Sequence, residues 1–199
     1  MTNPDKCEDG FSLSLFYKAD YKETDSELAN PQTKFPREVI LSTGGDKGFP
    51  GLSIYREGGT LGVILSTGAK LWTVQVVGGI PQRGKWTNIG IRWRNLNYAS
   101  EADFATRHQE GEEIENEDFG GLAVFLDLKR VGFVHLPEDI EEKEVKSGLD
   151  PAEILLGCHK TSADLTKRNF SGGSFDEVAI WTYWLNDTLL PYFLGGYSN

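Results

Sequence analysis

Cysteine is scarce, with only Cys7 and Cys158 in 199 residues. Two thiols without a CxxC pair cannot build a tetrahedral metal site. Histidine is as sparse: His108, His135 and His159 stand far apart, without metal-ligand spacing, and read as ordinary surface or strand residues. No stretch approaches 18 apolar residues, and the opening "MTNPDKCEDG" lacks the basic and apolar regions of a signal peptide, so nothing targets or spans a membrane. Positive charge is also short, with 20 Lys and Arg against 30 Asp and Glu, a formal net charge of -10. Two segments hold the excess. Residues 97–118 contain eight acids against Arg107, and residues 137–145 contain five against Lys143. A surface of that sign repels phosphate backbones and anionic headgroups, which argues against nucleic acid and simple electrostatic membrane binding, and no direct membrane insertion is expected. The acidic segments read as solvated loops, with binding of a divalent ion or a basic partner as the other use.

Long helical periodicity is missing too. What is present is period-2 alternation broken by 23 glycines near the changes of pattern. "FSLSLFY" puts Phe11, Leu13, Leu15 and Tyr17 on one face of a half-buried strand. "EVILSTGG", "GLSIYREGG" and "TLGVILSTG" read as consecutive hairpins. "LWTVQVV" turns Trp72, Val74 and Val76 inward, and "TNIGIRWR" does the same for Ile89, Ile91 and Trp93. Arg92 and Arg94 then point outward and, with Lys85, form a basic stripe that suits a solvated face, the acidic insertion or an acidic glycan. "GGLAVFLDLKRVGFV" reads as a strand pair, "AEILLGC" as a short strand and "SFDEVAIWTYW" as the last long one. The five tryptophans fall mainly at inward positions, which favours core packing over a sugar-stacking platform. The whole predicts an all-β antiparallel sandwich or jelly roll, a single domain over 1–199 with 97–118 as an acidic loop insertion.

The order of "CEDGFSLSLFYKA", "VILSTGG", "GLSIY", "GKWTNIGIRW", "GGLAVFLDLKRV", "ILLGC" and "GGSFDEVAIWTYWLNDTLLPYFLGG" resembles the laminin-G-like and pentraxin-like domains of the concanavalin-A-type jelly roll. Pentraxin-like modules of adhesion-receptor ectodomains are the nearest in look. The resemblance implies that Asp176 and Glu177 are a structural acidic pair ahead of a bulged strand, and that a short helical turn closes the domain. Pro191, five residues after a cap at Asn186, keeps that helix short. It also implies an earlier strand before Cys7, so Met1 reads as the start of a piece cut from a longer chain. The bridge of pentraxins would fall on Ser14 and Gly90, where no cysteine stands. Cys7 and Cys158 are the disulfide candidate instead, and Asn169 and Asn186 the glycosylation candidates, as suits an extracellular protein.

A retaining glycosidase of this fold needs carboxylates alternating along one strand about 5 Å apart, and no such run exists. The pentraxin calcium run corresponds to Cys158, His159, Lys160 and Thr161, which cannot serve a hard cation. Asp46 remains a turn residue. The expectation is a non-enzymatic extracellular recognition or adhesion module, without a cofactor, that binds a protein partner through loops and a sheet face. The alternatives are a glycan-binding lectin-like domain, with calcium as an optional ion, and a glycan-active enzyme.

Overall fold

The computed structural model describes residues 7, 10–20, 37–45, 49–79, 81–95, 120–141, 154–160, 167–168 and 172–185. Two antiparallel sheets pack face to face. The first contains β1 (Phe11–Ala19), β6 (Trp86–Arg94), β7 (Gly121–Leu126), β8 (Lys129–Val134) and β13 (Gly173–Trp181), in the order β13-β1-β6-β7-β8. The second contains β2 (Glu38–Ser42), β3 (Gly51–Glu57), β4 (Thr60–Ser66), β5 (Lys70–Val77), β9 (Glu138–Asp139) and β10 (Leu155–Leu156), in the order β10-β2-β3-β4-β5-β9. A short ladder joins β11 (His159–Lys160) to β12 (Lys167–Arg168). No helix occurs among the described residues. The short closing helical turn, the insertion at 97–118 and both glycosylation candidates, Asn169 and Asn186, lie outside them, as do Asp46 and His108.

Alternation decides which face each strand buries. Phe11, Leu13, Leu15 and Tyr17 of β1, Ile89, Ile91 and Trp93 of β6, and Leu122 and Val124 of β7 meet Leu52, Ile54, Val63, Leu65, Trp72 and Val74 from the second sheet in one core. Trp72 and Trp93 cross edge to face at its centre, 5.5 Å between ring centroids. The Trp72 indole N–H donates to the His135 carbonyl, 3.2 Å away, and ties β5 to the end of β8. On the opposite face of the second sheet, the ring of Tyr55 fills the space that a Cβ at residue 62 would need, so only glycine fits there.

Two local devices set the strand ends. β7 and β8 join through Asp127 and Leu128, both left-handed, with φ of 47° and 68°. That is the mirror-image hairpin turn whose twist matches the flanking strands. Asp127 is held there because its carboxylate accepts the Asn88 N–H at 2.9 Å and its own N–H donates to the Asn88 carbonyl at 3.0 Å. In β13 the register against β1 slips between Ser14 and Phe16, where Glu177 adopts φ of 45°. This is a β-bulge.

β1 departs from the half-buried strand expected of it. Ser12 and Ser14, on its outward face, are as buried as the residues of its core face. For Ser12 the reason is distant in sequence: the chain after β13 folds back over it.

Candidate functional site

The outward face of the first sheet carries the chemistry. Strand pairing arranges it in rows across β13, β1, β6 and β7: Trp181, Ser12, Arg92 and Ala123; then Ala179, Ser14, Gly90 and Phe125; then Asp176, Phe16 and Asn88; then Ser174, Lys18 and Trp86. Residues 182–185 cross the first of these rows as a strap. The Ser12 hydroxyl donates to the Tyr183 carbonyl at 3.1 Å and accepts the Leu185 N–H at 2.9 Å. Arg92 donates to the Leu185 carbonyl at 2.8 Å. Its guanidinium lies over the rings of Phe125 and Trp184, 5.1 and 4.8 Å from their centroids, and the Arg94 guanidinium also lies over the Trp184 ring, at 5.0 Å. Leu185 is fully buried against Ala123 and Phe125, with Phe133 and Trp181 beside them.

Arg92 is therefore only 2% exposed, and the expected solvated basic stripe does not exist as such. A delocalised guanidinium tolerates burial when rings stack on it and a carbonyl accepts its hydrogen bond; the strap supplies the carbonyl and the Trp184 ring. Lys85 precedes β6 and Arg94 ends it, so β6 separates them by about 30 Å of strand. That separation is a further correction to the stripe.

The last row is the exposed one. Trp86 is 45% exposed, with the Lys18 ammonium 5.0 Å from its ring centroid. Two residues along the same face, about 6.6 Å of strand, stands Asn88, 3% exposed. Its amide N–H donates to the Ser14 hydroxyl at 2.9 Å, but its carbonyl oxygen has no hydrogen-bond partner among the described residues. Either assignment of that amide leaves one buried polar atom unsatisfied, an arrangement that costs about 1–3 kcal/mol unless an added group completes it. An accessible indole beside a buried orphan amide is the usual make-up of a small-ligand site: an apolar plate plus a fixed polar contact.

The tryptophans thus divide. Trp72 and Trp93 are core, as alternation indicates, whereas Trp86 is exposed and Trp181 and Trp184 are half-buried on the outward face. The inward reading failed for three of five because two belong to the strap and its approach, and Trp86 opens its strand at the sheet's end. The signal for Trp86 lay in "GKW": it stands one residue before the inward set starting at Thr87.

Asp176 and Glu177 sit in the bulge and are both exposed, with the Asp176 carboxylate accepting the Glu177 N–H at 2.9 Å. Ser14 faces Gly90 across β1 and β6. Cys7 and Cys158 are both buried and both carry free thiols, so the expected bridge is absent. Cys7 packs inside the main core cluster, whereas Cys158 follows edge strand β10 and lies outside that cluster. Burial pushes the Cys7 thiol above its ordinary value of 9.0. The His135 ring bonds the Gly120 carbonyl through Nδ1 at 2.8 Å, a structural contact at the base of the insertion. Among the described residues no three His, Cys, Asp or Glu side chains are grouped to hold a metal ion.

No protein-family model matches the chain, and no curated protein matches it in sequence. Solved structures do. The receptor-binding domain of botulinum neurotoxin type G aligns over 90% of this chain and 36% of its own, with a TM-score of 0.52 and 15% identity. A leech intramolecular trans-sialidase, solved in complex with 2,7-anhydro-Neu5Ac, aligns over 98% of this chain and 24% of its own, with a TM-score of 0.55 and 12% identity. This chain spans about a third of the first structure's length and about a quarter of the second's. At such identities the likeness establishes the fold alone, an antiparallel β-sandwich, and not membership of the laminin-G or pentraxin families.

Proposed function

We propose that the protein is a non-catalytic carbohydrate-recognition module that works outside the cell, and that its site is the open strip of the outward face at Trp86, Lys18 and Asn88. One observation carries the reading: an exposed indole two residues from a buried amide oxygen that lacks a donor. The C–H face of a sugar ring stacks on an indole, and a sugar hydroxyl is the small donor that Asn88 lacks. The solved structures of the same fold support it, one being a receptor-binding domain and the other holding a sialic-acid derivative. The exposed Asp176 and Glu177 share a bulged edge strand, and the Asp176 carboxylate is engaged by a backbone amide, an arrangement without a positioned acid and base. The glycan reading therefore takes precedence over the adhesion module that binds a protein partner.

The test is a printed glycan array probed with the purified domain, followed by titration of the retained sugars against Trp86→Ala. Expected is retention of a defined subset and at least about a tenfold loss, ~1.4 kcal/mol, in the variant with an unchanged melting curve. Retention of no glycan overturns the reading in favour of protein recognition.

A further inference from the structure

The strap makes, within the chain, the kinds of contact that an external ligand would make. Its carbonyls at Tyr183 and Leu185 take the donors of Ser12 and Arg92, its Trp184 ring stacks on a guanidinium, and its Leu185 side chain fills the space over Ala123 and Phe125. Beneath it lie aromatic side chains and a hydrogen-bond donor, the classes of group that the open strip offers with Trp86, Lys18 and Asn88. Six residues of β6 separate Trp86 from Arg92, about 20 Å of strand. The outward face is thus one strip of similar chemistry, exposed at Trp86, buried from Asn88 to Arg92 and crossed at its far end by residues 182–185.

We propose that this strap sets the length of glycan the site accepts, with Ser12 and Arg92 as positioning residues that keep it closed. The inference rests on the carbohydrate reading above. A sugar chain that starts on Trp86 and runs along β6 meets Trp184 and Leu185 instead of open sheet, so added units beyond that point gain no contact. The closing contacts are three hydrogen bonds and stacking on Arg92, each individually modest, and Thr182 and Tyr183 at the strap's start are exposed. Releasing the strap lengthens the same strip without disturbing its open end.

The experiment uses oligomers of glucose, galactose and N-acetylglucosamine, each at graded chain length and with sialylated counterparts, bound to the full chain and to Leu185→Ala and Leu185→Lys. Hydrogen exchange at the Leu185 amide reports whether the strap has left. Leu185→Lys is the forcing variant, because a lysine ammonium cannot remain buried against the Arg92 guanidinium. For the unaltered chain, affinity should rise with length and then level off. The variants with an exchanging Leu185 amide should bind the shortest oligomers within about twofold of the unaltered chain, as independent sites do. With longer oligomers they should go on gaining affinity after the unaltered chain has levelled off. An identical plateau in a variant whose strap has left overturns the inference while leaving the carbohydrate reading intact. If the unaltered chain binds none of the oligomers, or Trp86→Ala binds as well as it does, the carbohydrate reading falls and takes this inference with it.

Discussion

Trp86 and Trp93 stand on one strand, seven residues apart, and have opposite fates because odd spacing in a strand reverses the face. Trp93 is core; Trp86 is surface, which is why its truncation should weaken the proposed recognition without loss of stability. Cys7 shows the converse, a reactive residue type made inert by its surroundings. Its thiol is buried and its pKa raised, so the folded state favours the protonated form. The stabilisation this gives is fully present below the unfolded value near 9 and is lost as pH rises through the higher folded value. Melting temperature measured from about pH 8 to about pH 11 should therefore fall more steeply for the unaltered chain than for Cys7→Ala. Both thiols should resist alkylation until the chain unfolds, and reductant should leave gel mobility unchanged. Rapid native labelling, or a reductant-dependent shift, would contradict the free buried thiols.

The β7–β8 turn places Leu128 at φ of 68°, where an L residue with a Cβ is strained by about 1–2 kcal/mol. Leu128 is partly solvent-exposed, so removing its side chain sacrifices little burial. Glycine costs roughly 0.5–1 kcal/mol in the unfolded chain, so Leu128→Gly should stabilise by about 0.5–1 kcal/mol net, read as a higher urea midpoint at unchanged slope. A lower midpoint would show that Leu128 is packed and not merely strained. The bulge in β13 does a different job. β13 is an edge strand of nine residues, and a kink at Glu177 with charge on the exposed side discourages pairing with another chain.

The two sheets hold together through one core centred on Trp72 and Trp93. Truncating Trp93 to alanine should cost about 3–5 kcal/mol, a large part of the stability of a domain of this size, and calorimetry should show either a melting point lowered by ten degrees or so or no cooperative transition. A shift of only a degree or two would mean that the sheets are held elsewhere. The acidic insertion leaves and returns where Arg94 pairs with Gly121, and the second acidic segment begins beyond Val134, whereas Trp86 lies at the opposite end of β6. The proposed ligand strip thus stands at the end of β6 opposite the residues from which the insertion departs.

Alternation is a local property, and so the all-β class, the hairpins from β2 to β5, the β7–β8 pair and the inward sets at Phe11–Tyr17, Trp72–Val76 and Ile89–Trp93 could all be read from the sequence. Period-2 patterning states which residues share a face, but not what covers that face. Ser12, Ser14 and Arg92 look solvated in their own strands. Ser12 and Arg92 are buried because a segment some 90 to 170 residues away folds onto them, and Ser14 lies under the Asn88 amide of the neighbouring strand. In the same way, the exposure of Trp86, the missing donor at Asn88 and the separation of two thiols that invite a bridge depend on where strands end and on which elements lie across them. Those relations between distant parts of the chain exist only once the sheets have paired and stacked.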